Sequence, residues 1–317
     1  MPTSCGQWWP FHRDPGLPSG ASCGFQMSIP LVGRTSSPED CSMTDVLDRT
    51  ALLARLTDRI EAFKTSDGWQ DWLATAARFR TYSLNNQLLI AMQRPSASFV
   101  AGYHTWRSLG RQVKRGETGI RIFAPMIRKR AESEENDSPV RTLAGFKAVS
   151  VFDLAQTEGE PLPGLDLPVV TVPDETLFDR LCDAATSARI AVTVTLDVPA
   201  GVRGWWEVER RRIVIGQSAT IASRTRTILH ELAHAVDIPT VEASADRGTR
   251  AERELVAESA AFIIGTGVFG IDMESASSHY AASWGADPAH LHDLAHRVLE
   301  VANGLEHLLS DCLGKPV

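Results

Sequence analysis

Thr225-Arg226-Thr227-Ile228-Leu229-His230-Glu231-Leu232-Ala233-His234-Ala235-Val236-Asp237 contains an H-E-x-x-H. On a helix, residues four apart share one face, so His230 and His234 can hold a single divalent cation between them. Glu231 projects about 100° around the helix from His230, near enough to flank the ion without ligating it. Neutral imidazoles bind Zn²⁺, and a free carboxylate beside them takes a proton from water. The spacing therefore predicts a zinc hydrolase, with Glu231 as general base and a peptide bond as the leading target.

The flanking sequence supports that reading. Arg211 to Gly216 reads as a short strand just upstream, with Ser218 or Ser223 as the helix cap. Gly204 to Val208 is expected to pair with it as a hairpin, whose edge could hold a peptide backbone by strand addition. A second helical run, Ala251 to Ile264, carries Glu254 and Glu258 on one face. A catalytic zinc needs a third protein ligand and one open position; spacing alone does not choose between these two glutamates. His279 and Tyr280 follow that run and are candidates for stabilising an oxyanion. His292 and His296 are also four apart, but Asp293 is a shorter base and no later helix supplies a carboxylate. They are read as polar-face residues of an amphipathic closing helix that starts at Asp287-Pro288.

The chain has 317 residues, 43% hydrophobic and 22% charged, which suits a globular protein of two ordinary domains. No apolar run is long enough to span a bilayer, and no signal-peptide pattern opens the chain. Cys5, Cys23, Cys41, Cys182 and Cys312 lack C-x-x-C spacing, as expected for a reducing, cytoplasmic compartment. The net charge of −7 argues against coating duplex DNA. Residues 1–43 are rich in Pro, Gly and Ser and are read as a disordered tail, with Met43 as a plausible alternative start.

From Thr44 the apolar spacing turns helical through Leu53, Leu56, Ile60 and Phe63. It resumes through Trp69, Trp72, Leu73 and Ala76, and again from Leu84 to Met92. A short strand around Val100, a short helix from Tyr103 and a strand from Ile120 follow. The acidic stretch Glu132 to Pro139 separates that strand from another, Leu143 to Phe152. Between residues 103 and 130, eight Arg or Lys oppose one acid, Glu117. With Tyr82, Tyr103 and Trp106 nearby, a cationic groove with stacking rings would suit single-stranded nucleic acid; a buried Trp106 is the plainer alternative.

Tyr82-Ser83-Leu84-Asn85-Asn86-Gln87, Gln93-Arg94-Pro95 and the run Gly102 to Ile120, with its W-x-x-L-G-R-x-V-x-x-G-E-x-G, resemble the N-terminal single-stranded-DNA-binding domain of ArdC-type antirestriction proteins. Val151 to Thr157 resembles the strand that closes that domain. The resemblance implies an α+β chain of two domains: a helical and β-hairpin DNA-binding domain at 44–157 and a zincin-like metallopeptidase domain, related to ImmA/IrrE peptidases, at 174–317. Residues 158–173 would be the linker. The resemblance also implies DNA contacts within Asn86, Tyr82, Trp106, Arg111, Lys114, Arg115 and Arg121. The ImmA/IrrE-like E-x-x-A pattern falls on Glu254-Leu255-Val256-Ala257, assigning Glu254 to the metal and Glu258 to support of a ligand imidazole. The partners implied are single-stranded DNA and a protein or peptide substrate, with no membrane. The competing reading is a DNA-binding antirestriction protein whose zinc site is structural or vestigial.

Overall fold

Tryptophans three residues apart begin the first well-defined helix, α1 (Ser66–Arg78), which Thr65 caps by accepting a hydrogen bond from Gly68 N. A computed structural model describes residues 65–129, 141–162, 173–217, 219–241, 247–273 and 288–310, together with Ala51, Leu56, Phe63 and Ala243. The tail at 1–43, the acidic stretch at 132–139, most of the expected linker, and His279 and Tyr280 lie outside the described residues. Phe63, Trp69 and Trp72 meet at ring distances of 4.9–5.5 Å. Three aromatics in such edge and tilted contacts give α1 an apolar face that must be covered.

Helix α2 (Leu84–Gln93) follows a short connection that the buried Gln87 amide braces at both ends. Its oxygen accepts from Trp72 Nε1 at 3.1 Å, and its nitrogen donates to the carbonyls of Phe79 and Tyr82. Strand β1 (Val100–Gly102) then leads into α3 (Tyr103–Ser108), β2 (Arg111–Val113), β3 (Ile120–Lys129), β4 (Arg141–Asp153) and, after one 3₁₀ turn, β5 (Thr157–Gly159). The hairpin β3–β4 is antiparallel and longer than the alternation alone predicts, with β1 on its far side in the order β1-β4-β3. Thr157 to Gly159, read from composition as the start of a linker, pairs with β2.

β3 is an edge strand, and α2 closes that edge. Asn86 bonds both main-chain groups of Phe123, at 2.8 and 2.9 Å. Gln93 does the same for Arg121, at 2.8 Å each way. Two steps further along sits Pro125, which has no N–H to offer. Each amide imitates the backbone of a missing strand, and together they blunt an edge that could otherwise recruit another chain.

Asp174 caps α4 (Glu175–Ser187) through Leu177 N. A second sheet follows: β6 (Ala191–Thr195), β7 (Gly204–Glu207) and β8 (Arg212–Gly216), in the order β6-β8-β7 with β6 parallel and β7 antiparallel to β8. Helices α5 (Ile221–Asp237), α6 (Arg250–Gly267) and α7 (Pro288–Leu309) pack on one another, and α5 packs on β7 and β8 of this sheet. The cap of α5 is Thr220, whose hydroxyl accepts from Ser223 N, rather than Ser218 or Ser223. Ser223 supplies the amide, not the side chain.

The mixed α+β architecture does not separate into two private cores. α1 lies on α6, with Trp69 Nε1 donating to Ser259 Oγ at 3.2 Å and Arg80 bonding Glu306 of α7 at 3.0 Å. Gly267 lets α6 meet the Ala77 carbonyl, where a Cβ would collide. One contiguous apolar cluster runs from Leu56 to Leu309. Among the described residues, no helix is long and apolar enough to cross a membrane.

Candidate metal centre

Helix α5 presents His230 and His234 one turn apart, their Nε2 atoms 3.1 Å from each other. Helix α6 enters from the side, started by a capping box in which Thr249 and Glu252 bond each other's backbone. That start fixes Glu254 in the next turn, its Oε2 3.4 Å from both imidazole nitrogens. Among the described residues this is the one group of three His, Cys, Asp or Glu donors placed to hold a metal ion. Tetrahedral bonds of about 2.05 Å give ligand–ligand edges of roughly 3.3 Å, and the measured separations of 3.1 and 3.4 Å match. The donor set fits a divalent cation.

The electrostatics agree with the geometry. Hydrogen bonds from His230 and His234 hold the Glu254 carboxyl far below the usual carboxylate range, burial notwithstanding. Burial disfavours a proton on His230, yet Glu254, Glu231 and Glu258 outweigh it and raise its pKa. Without a cation the cluster thus shares a proton that a cation would displace. Glu231 is nearly enclosed, and burial raises its pKa, opposed by the two imidazoles and by a hydrogen bond from Trp206 N–H. A carboxylate with a raised pKa beside a metal is suited to receive a proton.

Glu258 lines the same cleft, one turn beyond Glu254. The cleft, about 1020 Å³, lies between β7 on one wall and α5 and α6 on the other. Gly216 N donates to Arg203 O at 2.8 Å. In this register residues 203, 205 and 207 bond β8, so Gly204 and Trp206 turn their main-chain groups outward along the cleft. A Cβ on Gly204 would lie 2.6 Å from Thr227 Cγ2 and 2.7 Å from the Val214 carbonyl, so only glycine lets this strand approach α5 so closely. Trp206 and Arg226 were not singled out from the sequence. Arg226 was legible there, since it precedes His230 by four residues; the Trp206 N–H was not, because side-chain patterns do not show which backbone groups face a cleft.

The residues proposed for DNA are placed less uniformly. Trp106 is fully buried and donates to the Phe152 carbonyl at 2.9 Å, so its ring anchors α3 and offers no face for stacking. Asn86 is occupied with the edge of β3. The Tyr82 hydroxyl donates to Val100 O at 2.9 Å, and burial pushes its pKa up to about 12. Arg111 clamps β5 through Thr157 and Gly159. Arg121 extends from β3 to the Ser150 hydroxyl at 3.1 Å. Lys114 is exposed, donating to Ala155 O at 3.0 Å, and Arg115 is exposed beside a second groove with Arg94 and Gly119. The structure therefore brings Lys114 and Arg115 to one surface and sends Trp106, Asn86 and Tyr82 inside. His292 and His296 sit on α7 with rings 4.6 Å apart and His292 near Asn85; no third donor joins them among the described residues.

Residues 49–152 match the family model for the N-terminal domain of the anti-restriction factor ArdC. No curated protein matches the chain. Among solved structures, the chain is similar to the metal-free crystal structure of the antirestriction protein ArdC from plasmid R388, at 18% identity over 72% of this chain and 84% of that one, with a TM-score of 0.48. The Mn(II)-bound crystal structure of that protein is similar at 20% identity over 72% and 82% of the two chains, with a TM-score of 0.43. The matched region, about a third of the chain, contains the Asn86 edge cap and the Lys114–Arg115 surface and is similar to the N-terminal domain of the anti-restriction factor ArdC.

Proposed function

We propose that the chain is a zinc-dependent peptidase whose N-terminal region, residues 44–157, holds it on single-stranded DNA, while residues 174–317 form a zincin-like catalytic domain. The observation that carries this is the convergence of His230, His234 and Glu254 with the buried Glu231 behind them. A divalent cation at these donors supplies acidification of a water and polarisation of a carbonyl. Glu231 accepts the proton and passes it to the leaving amine, its enclosed carboxyl sustaining the protonated form between those events. Glu258 supports the electrostatics around His230. Along β7, the outward main-chain groups of Gly204 pair with the substrate backbone, the Trp206 N–H being held by Glu231. Oxyanion stabilisation by His279 or Tyr280 belongs to the same proposal.

The test is Glu231→Gln in the full chain. Zinc content is expected to stay at one per chain, while cleavage of a substrate found by proteomic comparison falls by about 10²–10⁴-fold. Equal cleavage by the variant would remove Glu231 from the reaction. A second reading has its own support: the family match covers residues 49–152, outside the metal cleft. On that reading the chain protects DNA by occupancy, and its zinc is structural or vestigial. Salt-sensitive affinity for single strands that survives chelation, with no cleavage of any substrate, would favour it.

A further inference from the structure

Arg203, Arg226, Arg250 and Arg253 line the metal cleft, and the chemistry proposed above uses none of them. Arg226 lies one turn before His230, on the ligand face of α5. Its Nη2 donates to the Asp272 carbonyl at 2.6 Å, a bond that fixes the guanidinium without neutralising it. Arg253 adjoins Glu254 and donates to the Gly248 carbonyl at 3.2 Å. Arg250 stands at the mouth with its side chain 88% exposed, Nε 3.8 Å from Glu254 Oε1. Arg203 immediately precedes β7.

Among the described residues, the acids lining the same cleft are Glu231, Glu254 and Glu258, one fewer than the arginines, and a divalent cation would add two positive charges. The cleft is therefore cationic in a chain whose net charge is −7. Its opposite wall, with Trp205, Trp206 and Val202, is apolar. An extended peptide on β7 sends alternate side chains to opposite sides, so one set faces the arginines.

We propose that this cleft selects acidic peptide segments, with Asp or Glu side chains received by Arg226 while Arg203 and Arg250 steer from the mouth. The inference rests on the peptidase reading for the site it describes, and is measured by binding. Nucleic acid is the competing polyanion. The outward main-chain groups of Gly204 favour peptide, because an extended peptide has the matching backbone N–H and C=O and a sugar–phosphate chain does not.

The experiment uses full-length Glu231→Gln loaded with Zn²⁺ and two fluorescein-labelled octapeptides, one alternating Glu with Ala and one alternating Gln with Ala. Anisotropy is expected to show the Glu peptide bound roughly tenfold more tightly at low salt, the preference shrinking as salt screens it. Adding Arg226→Gln should abolish most of that preference with zinc content and circular dichroism unchanged, and Arg226→Lys should restore part of it. Equal affinity for the two peptides would overturn the inference. So would an oligo-dT that displaces the Glu peptide and itself loses affinity in Arg226→Gln, which would give the arginines to nucleic acid. Charge-selective binding without hydrolysis by the wild type sinks the peptidase reading alone, and hydrolysis without charge preference sinks this inference alone.

Discussion

The edge of β3 and the edge of β7 are both ends of three-stranded sheets, yet one is sealed and the other faces a cleft. Along β3, Gln93 and Asn86 fill the backbone positions of Arg121 and Phe123, and Pro125 removes the next donor. Along β7, Gly204 turns its main-chain groups to the cleft, and the Trp206 N–H donates to Glu231. An uncovered edge is a hazard for aggregation, so leaving one open is informative when the other is closed at every step. The open one lies beside metal donors and a buried carboxylate. The closed one belongs to the region that carries the family match, where the hairpin needs shape more than partners.

The largest way to break this contrast is to push the open edge off its support. Gly204→Val is expected to cost about 3 kcal/mol, because the added atoms meet the buried Thr227 methyl and the Val214 carbonyl, neither of which has room to move. Urea unfolding reads the loss; a midpoint equal to wild type would show that β7 does not lie against α5 as described. Opening the closed edge is the next effect. Asn86→Ala should cost about 2 kcal/mol, by stranding the N–H and C=O of Phe123. With Gln93→Ala added, sedimentation velocity should show self-association. The same Asn86→Ala should leave single-strand affinity unchanged once folded, whereas Arg115→Ala should lower it and flatten its salt slope by about one.

Smaller effects sharpen the comparison. The pKa of His230 is raised above its usual value, so protons compete with the cation already above the pH at which an unperturbed imidazole would. Zinc affinity, followed by calorimetry, should therefore weaken as pH falls through that range, and the stabilisation given by saturating metal should shrink with it. That stabilisation is about 2.7 kcal/mol at a hundredfold excess over Kd. Tyr82, beside the closed sheet, has a pKa raised from 10.0 to about 12. Its folded form holds a proton that the unfolded form releases, so the contribution is complete below pH 10 and lost as pH rises towards 12. Tyr82→Phe should remove that alkaline loss and cost about 1 kcal/mol for its hydrogen bond to Val100.

Much of this was legible as pattern. The i, i+4 histidines, the helix carrying Glu254, the β3–β4 hairpin and the cap at Asp174 follow from periodicity and capping rules that act over a few residues. Asn86 and Trp106 show the limit. Asn86 enters the DNA candidates through the resemblance, and for Trp106 the sequence leaves a stacking ring and a buried one both open. Each instead bonds a main chain far along the sequence, Phe123 and Phe152. The sharing of one core by α1 and α6 was hidden likewise, since Trp69 and Ser259 are 190 residues apart.

The order of residues by itself determined the local geometry: which face of a helix carries two imidazoles, where helices start, and which strands alternate. Those depend on backbone periodicities of one or two turns. Spacing leaves Glu254 and Glu258 open and the resemblance points to Glu254; the tertiary structure sets the Glu254 carboxylate beside both imidazoles through the way α6 packs on α5. It also decided which sheet edge stays open and which amides face inward, since burial is a property of what packs on a residue and not of the residue alone.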